Sequence, residues 1–116
     1  MKFHPARTAL AGFVFALASS AFPGGAVAAD EAAAMALMKK NDCTKCHAAD
    51  KEKKGPSYKK IAAKYKEKKL DEKEAIKQMT EGKKVKLEDG TEETHKNIDT
   101  RDPKELSNLA QWIMAQ

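Results

Sequence analysis

The chain holds two cysteines, three positions apart, with a histidine directly behind the second: Cys43-Thr44-Lys45-Cys46-His47. No other stretch constrains the fold as strongly. Two thiols separated by two spacers and followed by imidazole form the attachment pattern of a c-type haem. The chemistry explains the spacing. Each thiol adds to one vinyl group on one edge of the porphyrin, and His47 then brings a ring nitrogen to the iron. The remaining chain must supply the other controls on such a group: the second axial ligand, surrounding hydrogen bonds and burial. Two other chemistries share part of the pattern. A redox disulfide belongs in a βαβ setting, and no strand runs here build one. Zinc normally takes four ligands, and only Cys43, Cys46 and His47 lie close together in sequence. Haem attachment is the stronger reading.

The first 28 residues read as an address. Lys2 and Arg7 give a positive start, Leu10 to Ala18 form a short apolar run, and Pro23-Gly24-Gly25 break it. Ala26-Val27-Ala28 offers small residues at the cleavage positions of a signal peptide. The apolar run falls short of the roughly 20 residues that a spanning helix needs, which disfavours an uncleaved anchor. Cleavage after Ala28 takes the 116 residues to 88, and a cut after Ala29 suits the pattern nearly as well. Residues 29–116 are expected to form one exported, periplasmic domain with no membrane span. Thiol attachment of haem in bacteria takes place on that side of the inner membrane, so address and motif agree. No cysteine is left over to form a stray disulfide in an oxidising compartment.

A core of this size is marginal alone, and a buried cofactor would supply an apolar plate to pack against. The chain has 22 Lys and Arg against 17 Asp and Glu, a net +5 that becomes +3 without Lys2 and Arg7. This mild excess reads first as a solvated surface. Few aromatics and export argue against nucleic-acid binding.

Four helices are expected. Residues 30–40 open on Asp30 as cap, with Glu31 at the positive helix end and Ala34, Met35 and Met38 on one apolar face. After a polar loop ending at Gly55-Pro56, Ser57 caps a second helix to about Glu67, with Tyr58, Ile61, Ala62 and Tyr65 as its stripe. The Gly55-Pro56 pair reads equally as a plain turn and as the source of a carbonyl for the His47 ring N–H. Asp71 and Glu74 form a capping box for a third helix, with Ala75, Ile76 and Met79 on one face and Gly82 as the stop. Residues 83–101 lack helical period; Val85 and Leu87 alternate with lysines before the turn-like Glu88-Asp89-Gly90-Thr91, which suits a short extended pair. Asp102, Pro103 and Glu105 start the last helix, whose Leu106, Leu109, Ala110 and Ile113 should pack on the first helix with Trp112 nearby.

Several segments together resemble a class I monohaem c-type cytochrome of the short bacterial type. They are Ala36-Leu37-Met38, Cys43 to His47, Gly55-Pro56-Ser57-Tyr58-Lys59, Ile61-Ala62-Ala63-Lys64-Tyr65 and Leu109-Ala110-Gln111-Trp112. The resemblance implies an all-α small cytochrome c fold. About four helices would surround one covalently bound haem c, with the N- and C-terminal helices crossed. It implies one haem in a crevice and orientation of His47 by the Pro56 carbonyl; beside it, attachment through Cys43 and Cys46 follows from the motif, and the helical stripes place Tyr58, Ile61, Tyr65 and Trp112 at the haem edge or the core. It also implies transient electron exchange with protein partners, as a monomer or weak oligomer, rather than catalysis.

One departure matters. The family takes its sixth iron ligand, normally methionine, from the loop before the last helix. Residues 83–101 contain no methionine and contain His95. Neutral imidazole is a good iron ligand, so His47 and His95 are the expected metal ligands, with Met79, Asn97 or an open site as runners-up and Thr94 and Asn97 as hydrogen-bond donors near the iron. Imidazole in place of thioether lowers the potential. Electron transfer is the leading function, with Lys45, Lys53, Lys54 and Lys59 as candidate steering charges. The alternative is a haem protein whose distal ligand is displaceable by a small diatomic or peroxide. A dedicated donor subunit for one dehydrogenase is a third reading.

Overall fold

A computed structural model describes residues 28–116; apart from Ala28, the expected signal segment lies outside the described residues. Four helices are joined by one short hairpin: α1 (Glu31–Lys40), α2 (Tyr58–Glu67), α3 (Glu72–Thr80), strands β1 (Lys84–Lys86) and β2 (Glu92–Thr94), and α4 (Pro103–Met114). The haem motif forms a single 3-10 turn, Cys43–Lys45, immediately after α1.

Each helix starts where a short polar side chain can satisfy an otherwise unpaired amide. Asp30 accepts from the Ala33 amide, Ser57 from Lys60, Asp71 from Glu74 and Asp102 from Lys104. A cap of this kind contributes about 1 kcal/mol. Pro103 occupies the first turn of α4, where its missing N–H costs no hydrogen bond. At the far end of α3, Gly82 adopts φ +58°, a left-handed conformation that glycine takes without penalty.

Helix α4 packs against α1, α2 and α3, so it is the common wall of the core. The core joins Ala34, Leu37 and Met38 of α1, Tyr58 of α2, Ala75 and Met79 of α3, Ile98, and Leu106, Leu109, Ala110 and Trp112 of α4. The expected α1 face needs one correction. Met35 is 46 % exposed, and Leu37 is buried in its place. Positions 34, 37 and 38 subtend the same arc of about 100° as 34, 35 and 38 do, so helical phase alone does not choose between them; α4 covers the first set. Asn108 ties the start of α1 to α4: its Oδ1 accepts from the Asp30 amide at 2.7 Å and its Nδ2 donates to the Asp30 carbonyl at 2.9 Å.

The expected extended pair is present. Strands β1 and β2 are antiparallel, with Lys84 opposite Thr94, Val85 opposite Glu93 and Lys86 opposite Glu92. Asp89 shapes the turn by accepting from the Thr91 amide and hydroxyl, and Gly90 supplies φ +86°.

Leu109 is fully enclosed. Truncation at such a site costs about 2–5 kcal/mol, whereas an exposed position stays within about 0.5 kcal/mol. Thermal unfolding of Leu109→Ala is therefore expected to fall by roughly 10 °C or more, with Met35→Ala close to wild type.

Candidate functional site

Between α2, α3, the hairpin and the Cys43–His47 turn lies an open cleft of about 980 Å³. That volume sits at the upper end of the range typical of small-molecule and cofactor sites, about 300–1,000 Å³. Its wall brings together Cys43, Cys46 and His47 from the motif, Pro56, Tyr58, Ile61 and Tyr65 around α2, Met79 from α3, and His95 from the segment after β2.

His47 is held from behind. Its Nδ1–H donates to the Pro56 carbonyl at 2.6 Å, which assigns the proton to that nitrogen and leaves Nε2 as the basic one. The Gly55 amide donates to the Cys46 carbonyl at 2.9 Å, and the Tyr58 amide to Ala48 at 2.9 Å, so the loop 48–57 folds back beneath the imidazole. Gly55 makes this approach feasible. A Cβ there would stand 2.7 Å from His47 Cε1 and 3.1 Å from Nδ1. In sequence Gly55 read only as the end of a loop; its need to be side-chain-free depends on a contact eight residues away.

His95 faces His47 across the cleft, with ring centres 6.1 Å apart and planes inclined by 41°. Its Nδ1 is buried and has no hydrogen-bond partner. Burial, and then the charge of His47, hold its pKa below the usual value, against a smaller backbone pull from Lys96. The segment carrying it is anchored: the His95 amide donates to the Lys83 carbonyl at 2.8 Å and the Ile98 amide to Met79 at 2.8 Å. Both cysteines are unpaired and half-buried. Burial is the main influence pushing the Cys43 thiol up.

Tyr58 lies between the imidazole and the core. Its ring centre is 5.5 Å from that of His47 and 5.4 Å, edge-on, from that of Trp112. Its buried hydroxyl has no partner, and burial followed by the two nearby cysteines raises its pKa. Trp112 thus stands behind Tyr58, off the cleft wall. Asn97, the second runner-up ligand, is exposed; its side chain lies over Gly82, away from the wall. Met79 does reach the wall but is only 7 % exposed and belongs to the core. Of the four lysines expected at the mouth, Lys45 alone lines it, paired with Asp42. Lys60 and Lys64 on α2, Lys68 just past its end, Lys83, Lys84 and Lys86 at β1, and Lys96 after β2 complete the rim. The even spread of lysines in sequence hid this clustering.

Residues 31–116 match the family model for cytochrome c. The chain belongs to the cytochrome c family. Among solved structures it is similar to the class 1 cytochrome MtoD from Sideroxydans lithotrophicus ES-1, at 48% identity and a TM-score of 0.71, over 76% of this chain and 97% of that one. No curated protein matches. The fold is the small class I cytochrome fold, four helices with few strands, and the protein is a haem electron carrier. Its cofactor is one covalent haem c, joined through Cys43 and Cys46.

The residues fit that group. Two free thiols share one edge of the cleft, a fixed imidazole stands beside them, and two buried polar atoms, Tyr58 Oη and His95 Nδ1, face no protein partner. Gly55→Ala tests the close approach beneath His47. Overpacking of this kind costs about 1–3 kcal/mol. The variant cytochrome is expected to unfold at lower denaturant and to show an altered iron-ligand spectrum, while Gly90→Ala, which meets nothing within 4 Å, keeps the wild-type spectrum.

Proposed function

We propose that this cytochrome is an exported, periplasmic one-electron carrier whose iron is held between His47 and His95. The observation that carries the reading is the pair of imidazoles facing each other across the cleft. An imidazole nitrogen binds a first-row metal at about 2.0 Å, and the ring centre lies about 1.2 Å behind it, so two imidazoles on opposite sides of one ion stand about 6.4 Å apart. The separation of 6.1 Å is close to that. When bound, haem c supplies a one-electron iron couple. The protein's part is to hold both imidazoles in place, to keep Tyr58, Ile61 and Tyr65 against the group, and to leave one edge open at the lysine-lined mouth. With His47 and His95 both holding the iron, the site would suit electron exchange.

The alternative, a displaceable distal ligand, draws less support. It requires a loosely held His95. The bonds from His95 to Lys83 and from Ile98 to Met79, together with burial of Ile98, anchor that segment at both ends. For localisation, the support is the leader pattern of residues 1–28, and no helix among the described residues is long and apolar enough to cross a membrane. The rim lysines favour weak, salt-sensitive encounters with acidic redox proteins.

Two outcomes are expected. His95→Met should raise the potential by on the order of 100 mV, a fraction of the ~0.8 V span commanded by axial ligands; an unchanged potential removes His95 from the iron. Haem-loaded protein released by osmotic shock should begin at Ala29 or Asp30 by mass spectrometry, and an intact Met1 chain in the membrane fraction would contradict cleavage of the leader.

A further inference from the structure

The two halves of the site are carried by distant parts of the chain, and one buried polar side chain joins them. Asn41 is 4 % exposed and lies two residues before Cys43. Its Nδ2 donates to the Leu37 carbonyl at 3.0 Å, at the end of α1. Its Oδ1 accepts from the Asp99 amide at 3.0 Å, four residues beyond His95. Two surface ion pairs flank it: Lys40 with Asp99 at 3.4 Å, and Asp42 with Lys96 at 3.1 Å. All four of those side chains are about half-exposed or more, so each pair holds little alone. The buried amide differs. If its oxygen is removed, the Asp99 N–H loses its protein partner, and with it the net worth of one ordinary hydrogen bond.

We infer that Asn41 is a positioning residue for the distal ligand: it latches residues 96–99 to the haem-attachment turn, and so holds His95 across the cleft from His47. The inference rests on the bis-imidazole reading above. It gives a specific reason for burying an amide at the end of α1. The Asn41 backbone amide already reaches the Leu37 carbonyl at 3.1 Å, so closing the helix does not require the side chain. What the side chain adds is the acceptor for Asp99. The wall of the cleft includes Asn41 itself, together with Asp42 and Lys96, so the latch closes one border of the site.

Carbon monoxide association with the reduced holoprotein reads the latch, because the gas binds iron only after His95 departs. Asn41→Ala should accelerate binding about tenfold, the factor that one hydrogen bond of ordinary net worth produces in an equilibrium. In a His95→Ala background, Asn41→Ala should have no effect on the rate. Acceleration of the same size in that background would mean general loosening and overturns the inference. So does a folded Asn41→Ala protein that binds at the wild-type rate. A His95→Ala protein that binds no faster than wild type overturns the ligand reading itself, and the inference with it. Hydrogen exchange in the unaltered holoprotein needs no variant to fold: the Asp99 amide should be strongly protected, and exchange at the rate of an open loop contradicts the latch.

Discussion

One hydrogen bond, from the His47 ring to the Pro56 carbonyl, decides which nitrogen the cleft receives. A free imidazole has two tautomers and turns about its side-chain bonds. Here the proton is committed to Nδ1 and the ring is fixed between a glycine and a tyrosine. The rest of the architecture serves that arrangement. Loop 48–57 folds back to present the carbonyl, Ser57 starts α2 directly after it, and α2 brings Tyr58 onto the imidazole. Trp112 of α4 then backs Tyr58, which carries the order of the site into the core.

The second side of the cleft is built differently. No helix carries His95. It follows a three-residue strand, and its position depends on acceptors borrowed from elsewhere: the Lys83 and Met79 carbonyls and the Asn41 side-chain oxygen take the amides of His95, Ile98 and Asp99. The hairpin before it reaches across to the other wall, where Glu88 meets Lys60 and the Glu88 amide approaches the Lys54 carbonyl at 3.4 Å. Lys60 also pairs with Glu52, so hairpin tip, α2 and loop 48–57 share one exposed charge network. Exposed ion pairs contribute little to stability; their consequence is placement of the tip at the border of the cleft.

Much of this was legible in the amino acids because it is local. The motif Cys43 to His47 implies its own chemistry, and Asp30, Ser57, Asp71 and Asp102 announce helix starts through bonds no more than three residues long. The short strand pair was visible in Val85, Leu87 and the Asp89-Gly90 turn. What escaped depends on tertiary distance. Nothing beside Met35 says that α4 covers Leu37 instead. Gly55 reads as a breaker until the imidazole is set beneath its Cα. Trp112 has the helical phase of a site residue, yet Tyr58 stands between it and the cleft. Asn41 looks like an ordinary polar residue at a helix end, because its partner lies 58 positions away. The absence of methionine from residues 83–101 was the informative departure, and the facing imidazoles support the inference drawn from it.

A site gripped by two imidazoles has a definite chemical signature at the metal. X-ray absorption at the iron edge of the unaltered holoprotein measures it directly, because sulfur and nitrogen neighbours scatter at different distances and phases. The account predicts a first shell of nitrogen alone, four from the porphyrin and one each from His47 and His95. A sulfur atom bound to the iron would contradict it and return Met79 to the position assigned here to His95.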